Sequence, residues 1–175
     1  CLEKLGPSTT FLVETKIDGL SLALRYHNGT LQTALTRGDG RSFGAEVTEN
    51  AKVISDIPHK LKHPIPYLEV RGEGYMNNEV VAEVKERQEL LGKKIFANPR
   101  NCAAGTLRQL DSSVTKERGL NFFCFNIQEM NGRELGTHGE AYDYLKNEGL
   151  RVIDHYFICQ SAQEVWQAIT RIGDL

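Results

Sequence analysis

Alternating hydrophobic and polar residues dominate the first forty positions of the chain, a pattern that is typical of half-buried β-strands. Asn28-Gly29 separates two of these segments, and this dipeptide is a strong signal for a tight hairpin turn. We therefore predict a meander of three strands over residues 11–18, 20–27 and 30–37.

Further along the chain, the spacing of apolar residues changes repeatedly between the period of a strand and that of a helix. Gly92 marks the end of one helical segment, and Ser161-Ala162-Gln163-Glu164 matches a capping box that predicts the start of the last helix. The prediction adds helices over 45–54, 78–91, 102–110 and 139–147 and from 161 onward, and strands over 67–76, 120–128 and 152–159. Strands with helices inserted between them, without strict alternation, indicate a mixed α+β fold.

The composition is that of a globular chain without a disorder signature. Of its 175 residues, 40% are hydrophobic and 25% are charged, which is enough to bury one sizeable core. We predict a single domain over residues 1–175. Because the chain begins with Cys1 rather than Met, we expect it to be an excised piece of a longer protein. There is no signal-peptide pattern and no apolar run of about 18 residues, which predicts a soluble, cytoplasmic protein.

Net charge and cysteine spacing argue against a broad nucleic-acid-binding surface, a zinc site and a disulfide framework. The net charge is −2, whereas proteins that grip nucleic acid over a broad surface are normally basic. Any contact with DNA must therefore be local. The four cysteines are widely spaced and form no Cys-x-x-Cys pair, so the sequence indicates neither a zinc site nor a disulfide framework. We expect reduced, buried thiols.

Candidate chemistry lies in the first predicted strand, in the string Glu14-Thr15-Lys16-Ile17-Asp18-Gly19. Because side chains alternate along a strand, Glu14, Lys16 and Asp18 would share one face. A lysine amine attacks only when neutral, and the reference pKa of about 10.4 leaves lysine mostly charged near pH 7, so it needs an activating environment. Gly19 allows a sharp turn or a close approach of the backbone. Lys-x-Asp-Gly fixes only three residues, so an exposed strand lysine is the alternative interpretation.

The longer string from Glu14 to Tyr26 closely resembles the adenylation domain of bacterial NAD-dependent DNA ligases. Other blocks resemble the same family in the same order: Thr36-Arg37-Gly38-Asp39-Gly40, Glu46-Val47-Thr48-Glu49-Asn50, Leu68-Glu69-Val70-Arg71-Gly72-Glu73, the segment from Phe96 to Asp111, and Phe122-Phe123-Cys124-Phe125. The segment from Phe96 to Asp111 is particular to this family among lysine nucleotidyltransferases. The resemblance implies an α+β lysine nucleotidyltransferase fold with largely antiparallel sheets and flanking helices, truncated before its C-terminal part.

The resemblance also implies roles for individual residues. Lys16 is the expected covalent nucleophile, which attacks the α-phosphate of NAD, releases nicotinamide mononucleotide and holds AMP as a phosphoramidate. Asp18 is the second expected catalytic residue and would orient the site or a Mg²⁺ ion. The implied nucleotide-binding set is Glu14 at the adenine edge, Lys16 with its neighbour Ile17, Arg37 at ribose or phosphate oxygens, Glu73 at the ribose hydroxyls, and Phe125 stacked on adenine. Arg100 and Arg108 are candidate contacts to NAD or to DNA phosphates.

In that family the AMP passes to the 5′-phosphate of a nick in DNA, and the 3′-hydroxyl then seals the strand. The resemblance thus implies NAD and Mg²⁺ as cofactors, nicked double-stranded DNA as partner, a monomeric protein, and Zn²⁺ only in a domain absent from this chain. The family also uses two further lysines, one of them in an Asp-Gly-Val-Val-Ile-Lys block, and N-terminal helices that hold the nicotinamide mononucleotide half. We find none of these here, so we expect the parent protein to seal nicks and this chain alone to be weakly active or inactive.

Two alternatives stay open from the residues. One is an RNA ligase or capping-type nucleotidyltransferase that uses ATP or GTP, although the segment from Asn98 to Asp111 argues against it. The other is a non-catalytic module that binds a nucleotide or nucleic acid. Activity of a Lys16→Ala variant separates catalysis from binding alone, and competition between cofactors separates NAD from ATP or GTP.

Overall fold

The structure is a computed structural model and describes residue 6 and residues 8–37 and 44–173. Six strands and six helices occur in this part of the chain. In chain order they are β1 (Phe11–Glu14), β2 (Leu20–His27), β3 (Thr30–Thr36), α1 (Thr48–Lys52), β4 (Tyr67–Tyr75), α2 (Asn78–Leu90), α3 (Pro99–Leu107), α4 (Ser112–Arg118), β5 (Asn121–Asn131), α5 (His138–Asn147), β6 (Tyr156–Cys159) and α6 (Ala162–Gly173).

The main sheet has four antiparallel strands in the order β3-β2-β4-β5. The predicted hairpin between β2 and β3 is confirmed: Asn28 and Gly29 have φ angles of 48° and 75°, the positive values that a two-residue turn of this kind requires. Because these are antiparallel sheets with helices beside them, the predicted α+β class is confirmed.

One face of the main sheet forms the hydrophobic core. Alternate residues of β2 and β4 are buried there, among them Leu22, Leu24, Leu68 and Val70. Helix α3 packs against this face: a methyl carbon of Leu107 lies 3.4 Å from the place that a Cβ on Gly74 would occupy. The other face of the same strands carries the odd-numbered, mostly polar residues, because side chains alternate along a strand.

The first predicted strand was wrong in two respects. It ends at Glu14 instead of continuing to Asp18, and it pairs antiparallel with β6, with Phe11 opposite Cys159, instead of with β2. The reason lies in the segment 15–19, which crosses from one sheet to the other. Gly19 approaches β4 so closely that a Cβ there would lie 2.3 Å from the carbonyl oxygen of Gly74. These residues therefore form the connection between the two sheets and not the continuation of a strand.

The helix predictions were correct in kind but shifted at their ends. The helix predicted over 45–54 spans Thr48–Lys52, and the one predicted over 102–110 begins at Pro99. There the Asn98 side chain accepts a hydrogen bond of 2.8 Å from the amide of Asn101, which caps the helix. Helix α4 was missed because it is short and mostly polar, with one buried residue, Thr115. The predicted capping of α6 by Ser161 is confirmed, since the Glu164 amide donates to Ser161 Oγ at 3.2 Å. The Glu164 carboxylate accepts from the Gln160 amide at 2.7 Å instead of from the Ser161 amide, as a capping box would require.

Two smaller expectations concern thiols and membranes. Cys102, Cys124 and Cys159 are buried and free in the described part of the chain, as expected for reduced thiols, while Cys1 lies outside it. None of the helices described here is both long enough and apolar enough to cross a bilayer.

Candidate active site

A row of four residues crosses the polar face of the main sheet at one end of its strands. The amide of Arg37 donates to the carbonyl oxygen of Ser21 at 3.2 Å. Ser21 is paired with Glu73 on β4, and Glu73 is paired with Phe123 on β5. Residues directly opposite each other on neighbouring strands share a face. This set, which we name the Glu73 row, brings together two predicted site residues, Arg37 and Glu73.

Glu73 is a buried carboxylate held by a neutral donor. The residue is 8% exposed, and Oε2 accepts a hydrogen bond of 2.9 Å from Ser21 Oγ. No ion pair to Glu73 occurs among the residues that the structure describes. A carboxylate has about four lone-pair sites for acceptance, so Glu73 keeps capacity to accept from hydroxyl groups of a ligand.

The segment with Lys16 is attached to this row through Gly19. A Cβ on Gly19 would lie 3.0 Å from Cγ of Glu73 as well as 2.3 Å from the Gly74 oxygen, so glycine is required for this close approach. Ile17 is half-buried and packs against the core, whereas Lys16 and Asp18 on either side of it are exposed. Ile17 therefore anchors the segment and leaves the lysine amine open to a substrate.

Glu14, at the end of β1, is held by a residue that the sequence did not indicate. The hydroxyl of Tyr142, on α5, donates to Oε2 of Glu14 at 2.5 Å. Tyr142 is fully buried. Its pKa is raised above the usual range, mainly by this burial and in second place by the hydrogen bond to the Glu14 carboxylate. The phenol therefore stays a neutral donor. No motif or spacing could have revealed this pair, because the two residues lie 128 positions apart.

Phe125 sits at a bulge in β5. In the pairing of β5 with β4, Cys124 lies opposite Gly72 and Asn126 opposite Arg71, so Phe125 is the extra residue. A bulge bends the strand and changes the direction in which its side chains point. Phe125 packs against the core and is half-buried, so part of its ring is available for contact with a ligand.

Arg100 and Arg108 are not part of the Glu73 row. Arg100 lies in α3 and Arg108 caps the end of that helix, and both are exposed. Helix α3 packs on the opposite face of the main sheet, where Leu107 contacts the side of Gly74 away from Glu73. Their predicted role as phosphate contacts stays a prediction.

Two further expectations concern the string after Arg37 and a metal ion. The string Gly38-Asp39-Gly40, which follows Arg37, lies outside the described residues. Within the described ranges, no group of three or more His, Cys, Asp or Glu side chains is arranged to hold a metal ion.

Comparison with known proteins shows the family to which the chain belongs. A family model described as "NAD-dependent DNA ligase adenylation domain" matches residues 3–174, and the chain belongs to this family. The DNA ligase of Clostridium kluyveri is 48% identical over 176 residues, which cover 99% of this chain and 26% of that protein. The DNA ligase of Acetivibrio thermocellus is 45% identical over 172 residues, covering 98% of this chain and 26% of that protein. The chain thus spans about a quarter of the length of the curated relatives it matches.

Proposed function

We propose that the full-length protein containing this chain is an NAD-dependent DNA ligase and that Lys16 is its nucleophile. Family membership over almost the whole chain supports this proposal, as do the curated relatives named DNA ligase. NAD is a substrate in this reaction, because its pyrophosphate bond is broken. We also propose that the protein is a cytoplasmic monomer whose partner is nicked double-stranded DNA.

The proposed first step is attack of the Lys16 amine on the adenylate phosphorus of NAD. A bond forms between Nζ and phosphorus, and the bond from this phosphorus to the bridging oxygen breaks, so nicotinamide mononucleotide leaves with its phosphate. The amine loses its proton to solvent. AMP is then transferred from Lys16 to the 5′-phosphate at the nick, and the 3′-hydroxyl displaces AMP as the phosphodiester bond forms.

The surrounding residues are proposed to bind the nucleotide and orient it. Glu14 would accept a hydrogen bond from the exocyclic amine of adenine, and Glu73 would accept from the ribose hydroxyls. Arg37 would supply a forked cation for ribose or phosphate oxygens. Phe125 offers a ring face for stacking on adenine. Beside Lys16, Ile17 would pack under the bound nucleotide and Asp18 would orient the reacting groups, while Arg100 and Arg108 would contact phosphates of NAD or DNA.

The observation that carries the proposal is the packing of Gly19 against Gly74 and Glu73. It attaches the segment of the exposed Lys16 to the Glu73 row, where a buried carboxylate and the backbone of Arg37 meet. Transfer of an adenylyl group requires a nucleophile, an acceptor for the hydrogen bonds of the ribose hydroxyls, and a cation that binds phosphate.

Mg²⁺ enters the proposal together with NAD, because it neutralises phosphate charge in reactions of this class. The described residues contain no cluster of three metal-binding side chains.

Intact-protein mass spectrometry tests the proposal. The full-length protein is incubated with NAD and Mg²⁺, and we expect one adenylyl group on Lys16, none in Lys16→Ala, and an unchanged adduct in Lys94→Ala, which alters another exposed lysine. Persistence of the adduct or of nick sealing in Lys16→Ala would overturn the assignment. Replacement of NAD by ATP or GTP should give no adduct.

The same measurement on the 175-residue chain tests its own activity. We propose that it forms little or no adduct, because electrostatic stabilisation of the developing phosphate charge contributes several kcal/mol to such reactions. The family residues expected to supply it, two further lysines, do not match any position of this chain. Rapid formation of a full adduct by the isolated chain would contradict this part of the proposal.

A further inference from the structure

The contact between Tyr142 and Glu14 joins a helix to the strand that precedes the proposed nucleophile. Tyr142 lies in α5, and its buried hydroxyl reaches the exposed carboxylate at the end of β1. Glu14 makes no ion pair with any described residue. A single neutral hydroxyl thus fixes one oxygen of this carboxylate.

The surroundings of Tyr142 hold its ring in place. The ring of His138 packs against it edge-on, with centroids 4.6 Å apart, and the ring of Tyr156 does so at 5.2 Å. Tyr156 is itself paired with Glu14 in the β1–β6 sheet. Helix α5 begins with a complete capping box formed by Thr137 and Glu140. The donor is therefore fixed by packing on several sides.

The chemistry of the donor decides what Glu14 can do. A glutamate side chain loses conformational entropy when a ligand orders it, and a fixed donor removes part of that loss before the ligand binds. A lysine or arginine in the place of Tyr142 would compete for the charge of the carboxylate. A neutral phenol holds Oε2 and leaves the negative charge and Oε1 available for a donor on the ligand.

We propose that Tyr142 is a positioning residue, which orients Glu14 toward the exocyclic amine of adenine and thereby sets the preference for an adenine nucleotide. This inference rests on the proposed function of the site. Tyr142 itself touches neither the substrate nor the reacting atoms.

The test compares two substrates in the full-length protein. Steady-state nick sealing is measured with NAD and with nicotinamide hypoxanthine dinucleotide, in which a keto oxygen replaces the amine. In Tyr142→Phe we expect KM for NAD to rise about tenfold while kcat changes less than about twofold. We also expect the ratio of kcat/KM for NAD to kcat/KM for the hypoxanthine substrate to fall by a similar factor.

Two further variants separate positioning from a merely structural role. Tyr156→Phe removes a hydroxyl from the same aromatic cluster, one that accepts a hydrogen bond from Lys146, and should leave the ratio unchanged. In a Glu14→Gln background, addition of Tyr142→Phe should have no further effect on the ratio, because coupled residues are not additive.

The outcomes distinguish this inference from the function on which it rests. If the wild-type protein forms no adduct on Lys16, the proposed function fails and this inference with it. If the adduct forms but Tyr142→Phe lowers kcat/KM equally for both substrates, or changes neither, the inference alone is overturned.

Discussion

Ser21 Oγ donates a hydrogen bond of 2.9 Å to Oε2 of Glu73, across the neighbouring strands β2 and β4. Glu73 is buried, so this donor and a bound ligand are the groups that can hydrogen-bond to its carboxylate in place of water. The pair has the same form as Tyr142 and Glu14: in each, a hydroxyl holds Oε2 of a glutamate that has no ion pair among the described residues. Two carboxylates of the candidate site are thus oriented without being neutralised.

Ser21→Ala removes this donor and leaves the buried Glu73 carboxylate without a hydrogen-bonding side chain among the described residues. A hydrogen bond to a charged group contributes about 1.5–3 kcal/mol, so we expect kcat/KM for NAD to fall at least tenfold in the full-length protein. Steady-state nick sealing at varied NAD concentration measures it.

Thr33→Ala is the matched control for this change. Thr33 lies on β3, opposite Arg25 of the same strand that carries Ser21, and it lies outside the Glu73 row. We expect its kcat/KM to stay within about twofold of the wild-type value, because the half-buried Thr33 makes no contact with Glu73 that the structure shows. Equal values for Ser21→Ala and Thr33→Ala would show that the Ser21 hydroxyl has no part in binding.

Gly19→Ala should displace the segment that carries Lys16. A Cβ at Gly19 would lie 2.3 Å from the backbone oxygen of Gly74, and this main-chain atom cannot move away as the end of a flexible side chain could. A displacement of about 1 Å from the reactive geometry costs roughly 100-fold in rate. We therefore expect single-turnover formation of the Lys16 adduct at saturating NAD to slow by about this factor.

The control for Gly19→Ala is Gly173→Ala, at the end of α6, where a new Cβ would meet no heavy atom within 4 Å. This variant should form the adduct at the wild-type rate. A Gly19→Ala protein with the wild-type rate would mean that the close approach to β4 has no role in placing Lys16.

Sequence patterns predicted the elements that are specified by a few adjacent residues. The alternation in β2 and β3 and the Asn28-Gly29 turn predicted a hairpin, because both signals lie within a few adjacent residues. The partner of β1 could not be predicted in this way. Phe11 pairs with Cys159, and nothing in a short strand specifies which distant strand lies beside it.

In the candidate site, too, short motifs could be recognised in the sequence, whereas contacts between distant residues could not. The motif residues of the Lys16 segment and Glu73 could be found from the sequence because each belongs to a short, recognisable block. The hydroxyls that hold the two glutamates could not, since Tyr142 reaches Glu14 across 128 residues and Ser21 reaches Glu73 across 52. Such contacts depend on strand register and helix packing, which no single segment encodes.

Asn50→Ala should destabilise the fold rather than alter binding. The buried Asn50 side chain donates to the carbonyl oxygens of Leu107 and Gln109, at 2.7 and 2.9 Å, and so ties α1 to the end of α3. A buried acceptor left without a hydrogen bond lowers the free energy of unfolding by about 1–3 kcal/mol. We expect the free energy of unfolding of the 175-residue chain to fall by this amount in urea titrations followed by circular dichroism.

Asn77→Ala is the control for this loss of an asparagine. Asn77 is exposed and precedes α2 without a capping hydrogen bond from its side chain, so the change should stay within about 0.5 kcal/mol. An Asn50→Ala chain as stable as Asn77→Ala would show that the link between α1 and α3 contributes nothing to stability.

Alkaline pH should weaken the fold through its buried tyrosines. Burial raises the pKa of Tyr26 and Tyr142 well above the usual range, and burial together with the Glu148 carboxylate raises the pKa of Tyr144 to about 12. Below pH 10 these groups are protonated in both the folded and the unfolded state, and their full contribution to the free energy of unfolding is present. Above pH 10 they ionise in the unfolded chain first, so the unfolded state binds fewer protons and stability falls as pH rises.

The contribution of Tyr144 can be isolated by Tyr144→Phe. Its buried hydroxyl has no hydrogen-bond partner within the described part of the chain, so its removal should cost little stability at pH 8. Between pH 10 and about 12, each such tyrosine lowers the free energy of unfolding by at most about 1.4 kcal/mol per pH unit. The buried thiols Cys102 and Cys124, whose pKa values burial also raises, contribute equally to both proteins and cancel. Urea titrations of wild type and Tyr144→Phe at pH 8, 10 and 11 should therefore diverge only above pH 10, with the variant losing less stability; parallel curves would mean that Tyr144 ionises alike in the folded and unfolded chains.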